Sequence, residues 1–131
     1  MADDAYEVTV AAGSLRSDGG WSLPHRFTDE GVSIDAAFTG AHLLHLSVAG
    51  CVLNDVYREA ATLGVALAGV RVRARGGFDT DSWASTGIAY DVEVDAPDAA
   101  AADVQQVLDV VDAVAEIPRA VRHGAPVLRE P

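Results

Sequence analysis

Cys51 is the one cysteine of this 131-residue sequence, and its thiol is the candidate reactive group. A cysteine attacks as the thiolate, which a nearby positive charge favours. If Cys51 lies on a helix, Asp55 and Arg58 share its face, because residues four and seven positions apart are aligned. Arg58 would favour the thiolate, whereas Asp55 would oppose it. Two interpretations stay open at this point: a reactive thiol with partial access to solvent, or an inert buried thiol.

Two histidines, His42 and His45, precede this cysteine at a spacing that can suit a metal ion. No further histidine, cysteine or carboxylate nearby in the sequence completes a ligand set. Both lie roughly opposite Cys51 around a helix, so neither can act as its base within that helix. We therefore expect a structural role for them, and neither a metal nor a cofactor. The glycine pair Gly76–Gly77 is too short for a phosphate-binding loop, and no nucleotide-binding motif or nucleophile elbow is present.

Three arginines alternate with apolar residues in the segment Gly69–Arg75. Such alternation predicts a half-buried strand with the arginines on its wet face. A hairpin symmetric about Trp83 would pair them with acidic residues of the following strand, since opposite charges across a strand pair stabilise it modestly. The expected pairs are Arg71 with Asp95, Arg73 with Glu93, and Arg75 with Asp91. A charge ladder is thus favoured over an anion-binding site.

The residues around Cys51 predict a long helix over Gly40–Leu63. Thr39 is suited to cap its N-terminus, and Gly64 is suited to end it in the left-handed conformation. The first half, Leu43–Leu53, is apolar almost all round, which predicts burial on most sides. The second half carries several polar residues, Asp55 among them, and is expected to emerge toward water.

Alternation and turn residues predict strands before and after this helix. The predicted strands are Tyr6–Ala11, Trp21–Phe27, Gly31–Ala37, Gly69–Arg75 and Ile88–Asp95. The stretch Gly76–Trp83 is expected to join the last two as a hairpin.

Two further helices and a strand are predicted to complete the chain. Asp98, after Pro97, is the expected cap of the second helix, and Pro118 suits the first turn of a short third helix that ends at Gly124. Ala125–Arg129 is expected to form a last edge strand. Runs of strands followed by helices indicate an α+β fold, here as one domain over residues 1–131.

The composition excludes several function classes. The formal net charge is −11, with nine arginines and no lysine, so nucleic acid and anionic membranes are poor partners. A single cysteine excludes an intrachain disulfide, and the acidic N-terminus does not resemble a signal peptide. Together these features predict a cytoplasmic protein.

The order of elements and several residues resemble the OsmC/Ohr family of thiol-dependent peroxidases, named for organic hydroperoxide resistance, and their relatives. The segment Gly40–Gly64 looks like the family's long central helix, in which an apolar, alanine-rich approach leads to a cysteine. The run Glu116–Val127 looks like its closing helix and strand. The resemblance implies an antiparallel sheet packed on a buried central helix, in an intertwined homodimer with the cysteine at the interface.

The chain departs from the family's peroxidases at positions that matter for function. Where those members have a second, resolving cysteine, this chain has Ile117, and where they have a glutamate early in the central helix, it has Ala41. They also carry an arginine near the N-terminus that activates the thiol. Arg16 and Arg26 are the candidates for that role here.

Two functions follow from the resemblance. The first is a peroxidase, active in oxidative stress, that reduces organic hydroperoxides through Cys51 and uses an external thiol reductant in place of the missing cysteine. The alternative is a non-catalytic member of the fold that binds a small apolar ligand at the dimer interface near Cys51.

Overall fold

A computed structural model describes residues 5–124, 127 and 129, and these residues form five antiparallel strands and three helices. Their bounds are β1 Val8–Gly13, β2 Trp21–Leu23, β3 Val32–Asp35, α1 Gly40–Leu63, β4 Gly69–Phe78, β5 Ser85–Asp95, α2 Ala101–Val114 and α3 Glu116–His123. The sheet order is β2-β3-β1-β4-β5. This is the predicted α+β class. In the sequence, α1 lies between β3 and β4, and α2 and α3 follow the last strand.

The helices α1 and α2 cover one face of the sheet. That face carries the small apolar side chains of β1 and β4, such as Val10 and Val72, which are cross-strand partners. They form one core with apolar residues of both helices, among them Val52 and Val107. Tyr90 of β5 points the same way and donates its hydroxyl hydrogen bond to Asp112 of α2. The opposite face carries the arginines of β4.

The limits of the central helix α1 are as predicted. The Thr39 side chain accepts a hydrogen bond from the backbone amide of His42, which satisfies one of the unpaired amides of the first turn. At the other end Gly64 adopts φ 73°, and its amide bonds to the carbonyls of Ala60 and Ala61. Both ends are therefore fixed by local chemistry.

The strands differ from the predicted spans at their ends. β2 stops at Leu23 rather than Phe27, where Pro24 has no amide to donate to a ladder. β3 covers Val32–Asp35, two residues less at its C-terminal end than predicted. The hairpin strands are instead longer, because β4 continues through a bulge between Gly76 and Phe78. The stretch predicted as the connection is thus partly strand.

The charge ladder is present, but the predicted register was wrong by two residues. Arg71 pairs with Glu93 and Arg73 with Asp91, while Arg75 lies opposite Ala89 and reaches diagonally to Asp91. The Arg71–Glu93 and Arg73–Asp91 ion pairs measure 2.6 and 3.0 Å. The bulge and a turn centred nearer Ser82 than Trp83 account for the shift.

The predicted cap of α2 was also wrong. Pro97 and Asp98 form a turn, which a hydrogen bond from the Ala99 amide to the Ala96 carbonyl closes at 3.1 Å. α2 therefore begins only at Ala101, and no side chain caps it. α3 contains Pro118 in its first turn and ends before Gly124, as predicted. The predicted edge strand Ala125–Arg129 falls largely on residues outside the described part of the chain.

None of the helices in the described residues is long and apolar enough to cross a membrane.

Candidate functional site

Cys51 lies in the middle of α1, with its side chain partly exposed. Its position four residues before Asp55 aligns the two side chains on one helix face, as the sequence predicts. The thiol also takes part in a hydrogen bond with the backbone amide of Ile117, at the start of α3. α1 and α3 therefore meet at this thiol.

Asp55 is buried, with 3 % of its surface exposed, and this corrects the expectation that it faces water. One of its carboxylate oxygens, Oδ1, lies 3.2 Å from a guanidinium nitrogen of Arg58. Its other oxygen, Oδ2, is buried without a hydrogen-bond partner among the described residues. The short helix α3 packs against α1 and covers this face. The residue pattern of α1 alone cannot predict that contact.

Glu116 is the functional candidate that the sequence did not reveal. It is the first residue of α3 and follows Ala115, a residue 1 % exposed that anchors the junction of α2 and α3 in the core. This anchoring brings the carboxylate to Cys51. Ligand atoms of Cys51, Asp55 and Glu116 all lie within 4.8 Å of one another. We call these three residues the thiol–carboxylate cluster.

The electrostatics of the cluster favour the neutral thiol. Burial is the main cause that raises the pKa of Cys51, and the negative charges of Asp55 and Glu116 raise it further. The Ile117 amide acts in the opposite sense. Burial likewise raises the pKa of Asp55 above its usual range, against the lowering effect of Arg58. Within the described chain, Cys51 is thus a protonated thiol near neutral pH.

The two candidate activating arginines lie elsewhere in the described chain. Arg16 donates from its guanidinium group to the hydroxyl of Ser22 at 3.1 Å, across the β1–β2 connection. The guanidinium carbon of Arg26 lies 5.3 Å from the centre of the Phe27 ring. Neither is among the charges that shift the pKa of Cys51 in this chain. Their role in activation stays a prediction for an assembly with a second copy.

The two histidines of α1 have local partners. His42 shares a hydrogen bond of 2.6 Å with the Thr39 hydroxyl at the helix start. His45 is fully buried, with Nδ1 2.7 Å from the Ala41 carbonyl oxygen and its ring against those of Tyr6 and Phe78. Both side chains thus make hydrogen bonds or ring contacts with residues near the start of α1 and the adjacent strand.

A pocket of about 330 Å³ lies between α1, β5 and α3. Val48 precedes Cys51 by about one turn of α1, and Pro118 follows Glu116 by two residues in α3, so the two helices that carry the cluster also line the pocket. The lining residues are Val48, Ser85, Gly87, Ile88, Tyr90, Pro118, Val121 and Arg122. The lining is mainly apolar and includes the hydroxyl-bearing residues Ser85 and Tyr90 and the guanidinium-bearing Arg122.

The antiparallel sheet, the long central helix with its cysteine and the closing helix that returns to that cysteine define an α+β protein of the kind expected from the resemblance. A family model described as OsmC-like protein matches residues 33–128. This match spans most of the chain and includes the whole cluster. The chain therefore belongs to the OsmC-like family. A search of curated proteins found no match.

Proposed function

We propose that this OsmC-like protein binds a small, mainly apolar molecule in the pocket beside Cys51. The observation that carries the proposal is the environment of the thiol. The charged side chains that act on it in the described chain are carboxylates, Asp55 and Glu116, which disfavour the thiolate that peroxidase chemistry needs.

The pocket itself supports a binding role. Its volume of about 330 Å³ lies at the lower end of the range usual for ligand sites. Val48, Ile88 and Val121 supply apolar surface, while the Tyr90 hydroxyl and the Arg122 guanidinium are both directed to Asp112. A short aliphatic chain fits such a lining better than a polar metabolite does. A polar metabolite would lose its hydrogen bonds to water, and the pocket offers few polar groups to replace them.

Binding of 1-octanol and octanoate, measured by calorimetry, tests this function. Val121→Trp fills the pocket and should abolish binding, whereas Val114→Trp, on α2 and outside the lining, should leave it unchanged. The proposal is overturned if neither molecule binds, or if Val121→Trp binds as well as the unmodified protein.

A one-cysteine peroxidase is the second candidate, favoured by the partial exposure of Cys51 and its bond to the Ile117 amide. The thiolate would attack the O–O bond of an organic hydroperoxide, forming a sulfenic acid and releasing the alcohol after protonation. An external thiol would then form a mixed disulfide and release water, since the position of the resolving cysteine holds Ile117. Activation would require Arg16 or Arg26 from a second copy.

Intact-protein mass spectrometry after titration with an organic hydroperoxide separates the two candidates. The binding function predicts that Cys51 stays a thiol at concentrations that oxidise free cysteine. A peroxidase would gain one oxygen atom at Cys51, or a mixed disulfide when a small thiol is present. Cys51→Ser is the control, because it keeps the size of the side chain and removes the sulfur.

A further inference from the structure

The thiol–carboxylate cluster brings together three potential metal ligands from two helices. We propose that Cys51, Asp55 and Glu116 bind a zinc ion through one sulfur and two carboxylate oxygens, with a water molecule in the fourth position. This inference does not depend on what occupies the neighbouring pocket, nor on any peroxidase activity.

The geometry requires little movement. Cys51 and Asp55 stand four residues apart on α1, the spacing at which a helix presents two ligands to one ion. Ligand atoms around a tetrahedral zinc ion are about 3.2–3.6 Å apart, given bond lengths of about 2.0–2.3 Å. The three atoms here lie within 4.8 Å of one another. Because the Glu116 side chain is exposed, rotation about its own bonds can bring a carboxylate oxygen closer to the other two ligand atoms.

The orphaned oxygen of Asp55 is the independent observation that points to a bound cation. Asp55 is 3 % exposed, yet its Oδ2 has no hydrogen-bond partner in the described chain. A buried carboxylate oxygen without a partner costs free energy, and such groups are usually paired or coordinate a metal. Arg58 forms an ion pair with Oδ1, so Oδ2 is the oxygen that stays available to bind a cation.

A dication also offsets most of the negative charge of the site. A Cys51 thiolate and two carboxylates carry three negative charges, and Arg58, which also pairs with Glu59 at 3.6 Å, carries one positive charge. With Glu59 counted, the net charge is −3, which a divalent ion reduces to −1. Without it, two carboxylates and a thiol share one partly buried space, and like charges oppose ionisation there.

The donor types select zinc among common divalent ions. A thiolate is a soft ligand that Mg²⁺ and Ca²⁺ do not favour, whereas zinc accepts sulfur and carboxylate oxygen together. Binding displaces the thiol proton to the buffer, because the metal holds the thiolate. With three protein ligands, the fourth position is left to a water molecule.

Cobalt(II) serves as a spectroscopic probe, because a thiolate ligand gives it a sulfur-to-metal charge-transfer absorption. Titration of the full chain with Co²⁺ should produce this absorption, and Zn²⁺ should abolish it by displacement. Cys51→Ser should eliminate the band. Glu116→Gln should weaken Co²⁺ binding at least about tenfold, since losing even an outer-shell partner often costs that much.

Asp103→Asn is the matched control, because it removes an exposed acidic side chain from α2 that belongs neither to the cluster nor to the ion pairs of Arg58. It should bind Co²⁺ as the unmodified chain does. As a second measurement, a Zn²⁺ concentration that half-saturates the unmodified chain should slow alkylation of its Cys51 by iodoacetamide and should protect Cys51 much less in Glu116→Gln. Absence of the band, or equal affinity in Glu116→Gln and the unmodified chain, would overturn the proposal.

Discussion

A carboxylate oxygen of Glu116 lies within 4.8 Å of the sulfur of Cys51, although the two residues belong to different helices and are far apart in the sequence. The carboxylate both repels a thiolate and accepts a hydrogen bond from the thiol, and each effect raises the pKa of Cys51. Glu116 is therefore a determinant of how reactive this thiol is.

Glu116→Gln should lower the pKa of Cys51, because it removes a negative charge beside the sulfur. The expected result, with EDTA present to exclude metals, is several-fold faster alkylation by iodoacetamide at pH 7.5 and a rate profile shifted to lower pH. Asp103→Asn, which removes an exposed carboxylate of α2 that is not among the charges acting on Cys51, should alkylate at the rate of the unmodified chain. An unchanged or slower rate in Glu116→Gln would contradict this account of the site.

Two of the three residues of the thiol–carboxylate cluster could be placed on one helix face from the sequence. Cys51 and Asp55 lie on one helix, and both ends of that helix are fixed by neighbours in the chain, Thr39 and Gly64. Local rules therefore suffice to align them. Glu116 is placed beside them by the packing of α2 and by the turn at Ala115. No periodicity within a single helix or strand predicts that placement.

The same distinction explains the errors elsewhere in the fold. Alternation along β4 and β5 predicts which side chains face the core, because that depends on each strand alone. The register between the two strands depends on the turn and on the bulge at Gly76, which sequence symmetry about Trp83 does not reveal. Asp98 has the right chemistry for a cap, yet the turn after Pro97 delays the helix to Ala101.

The Arg71–Glu93 pair should contribute little to stability, despite its distance of 2.6 Å. Both side chains are substantially exposed, so solvent screens their attraction. Arg71→Ala should lower the free energy of unfolding by less than about 1 kcal/mol, as measured by urea denaturation. Octanol binding should be unaffected. A large loss of binding with an intact fold would show that the arginine face is itself a ligand site.

Gly76 is required where β4 passes over the ring of His45. A Cβ atom there would lie 2.2 Å from the Gly87 carbonyl oxygen and 2.7 Å from Nε2 of His45. Because the first contact is with backbone, the strands must shift, and Gly76→Ala should destabilise the protein by about 1–3 kcal/mol.

Gly50→Ala is the control for that substitution. Gly50 lies within α1, and apart from its chain neighbours and the nearby backbone of the helix itself, no atom of the described residues lies within 4 Å of the added methyl group. Replacing a glycine in a helix interior should stabilise the protein by up to about 1 kcal/mol. Thermal or urea unfolding of both variants gives the comparison, and equal effects of the two would argue against the close approach at Gly76.

We also propose that the protein is a homodimer. Phe38, just before α1, is 78 % exposed and contacts Trp21 of the edge strand β2, and Leu43 and Leu44 of α1 are incompletely covered within one chain. A second copy would bury this apolar surface. Sedimentation velocity should show a dimer at micromolar concentration.

Phe38→Asp should shift that equilibrium toward monomer, because it places a charge in the apolar surface. Trp83→Asp, at the exposed hairpin turn, is the matched control and should remain dimeric. A stable monomer of the unmodified chain at micromolar concentration would refute the dimer.

The pH dependence of stability provides a test of Asp55. Burial is the main cause that raises its pKa above the usual 3.8, so the folded protein holds this proton more tightly than the unfolded chain does. Its contribution to stability is therefore fully present below pH 3.8 and is lost as the pH rises through the folded-state pKa. Asp55→Asn has no such dependence. Relative to the unmodified chain, the variant should gain stability between acidic pH and pH 7.

Urea unfolding at several pH values, with EDTA present, measures this difference. A variant that instead loses relative stability as the pH rises would show that Arg58, rather than burial, dominates the ionisation of Asp55. Saturating Zn²⁺ should reverse the trend. A bound cation favours the carboxylate, so the unmodified chain would then gain stability with rising pH, while Asp55→Asn, with a weaker ligand, would gain less. The sign of the pH effect thus reports whether the orphaned oxygen of Asp55 faces a metal ion.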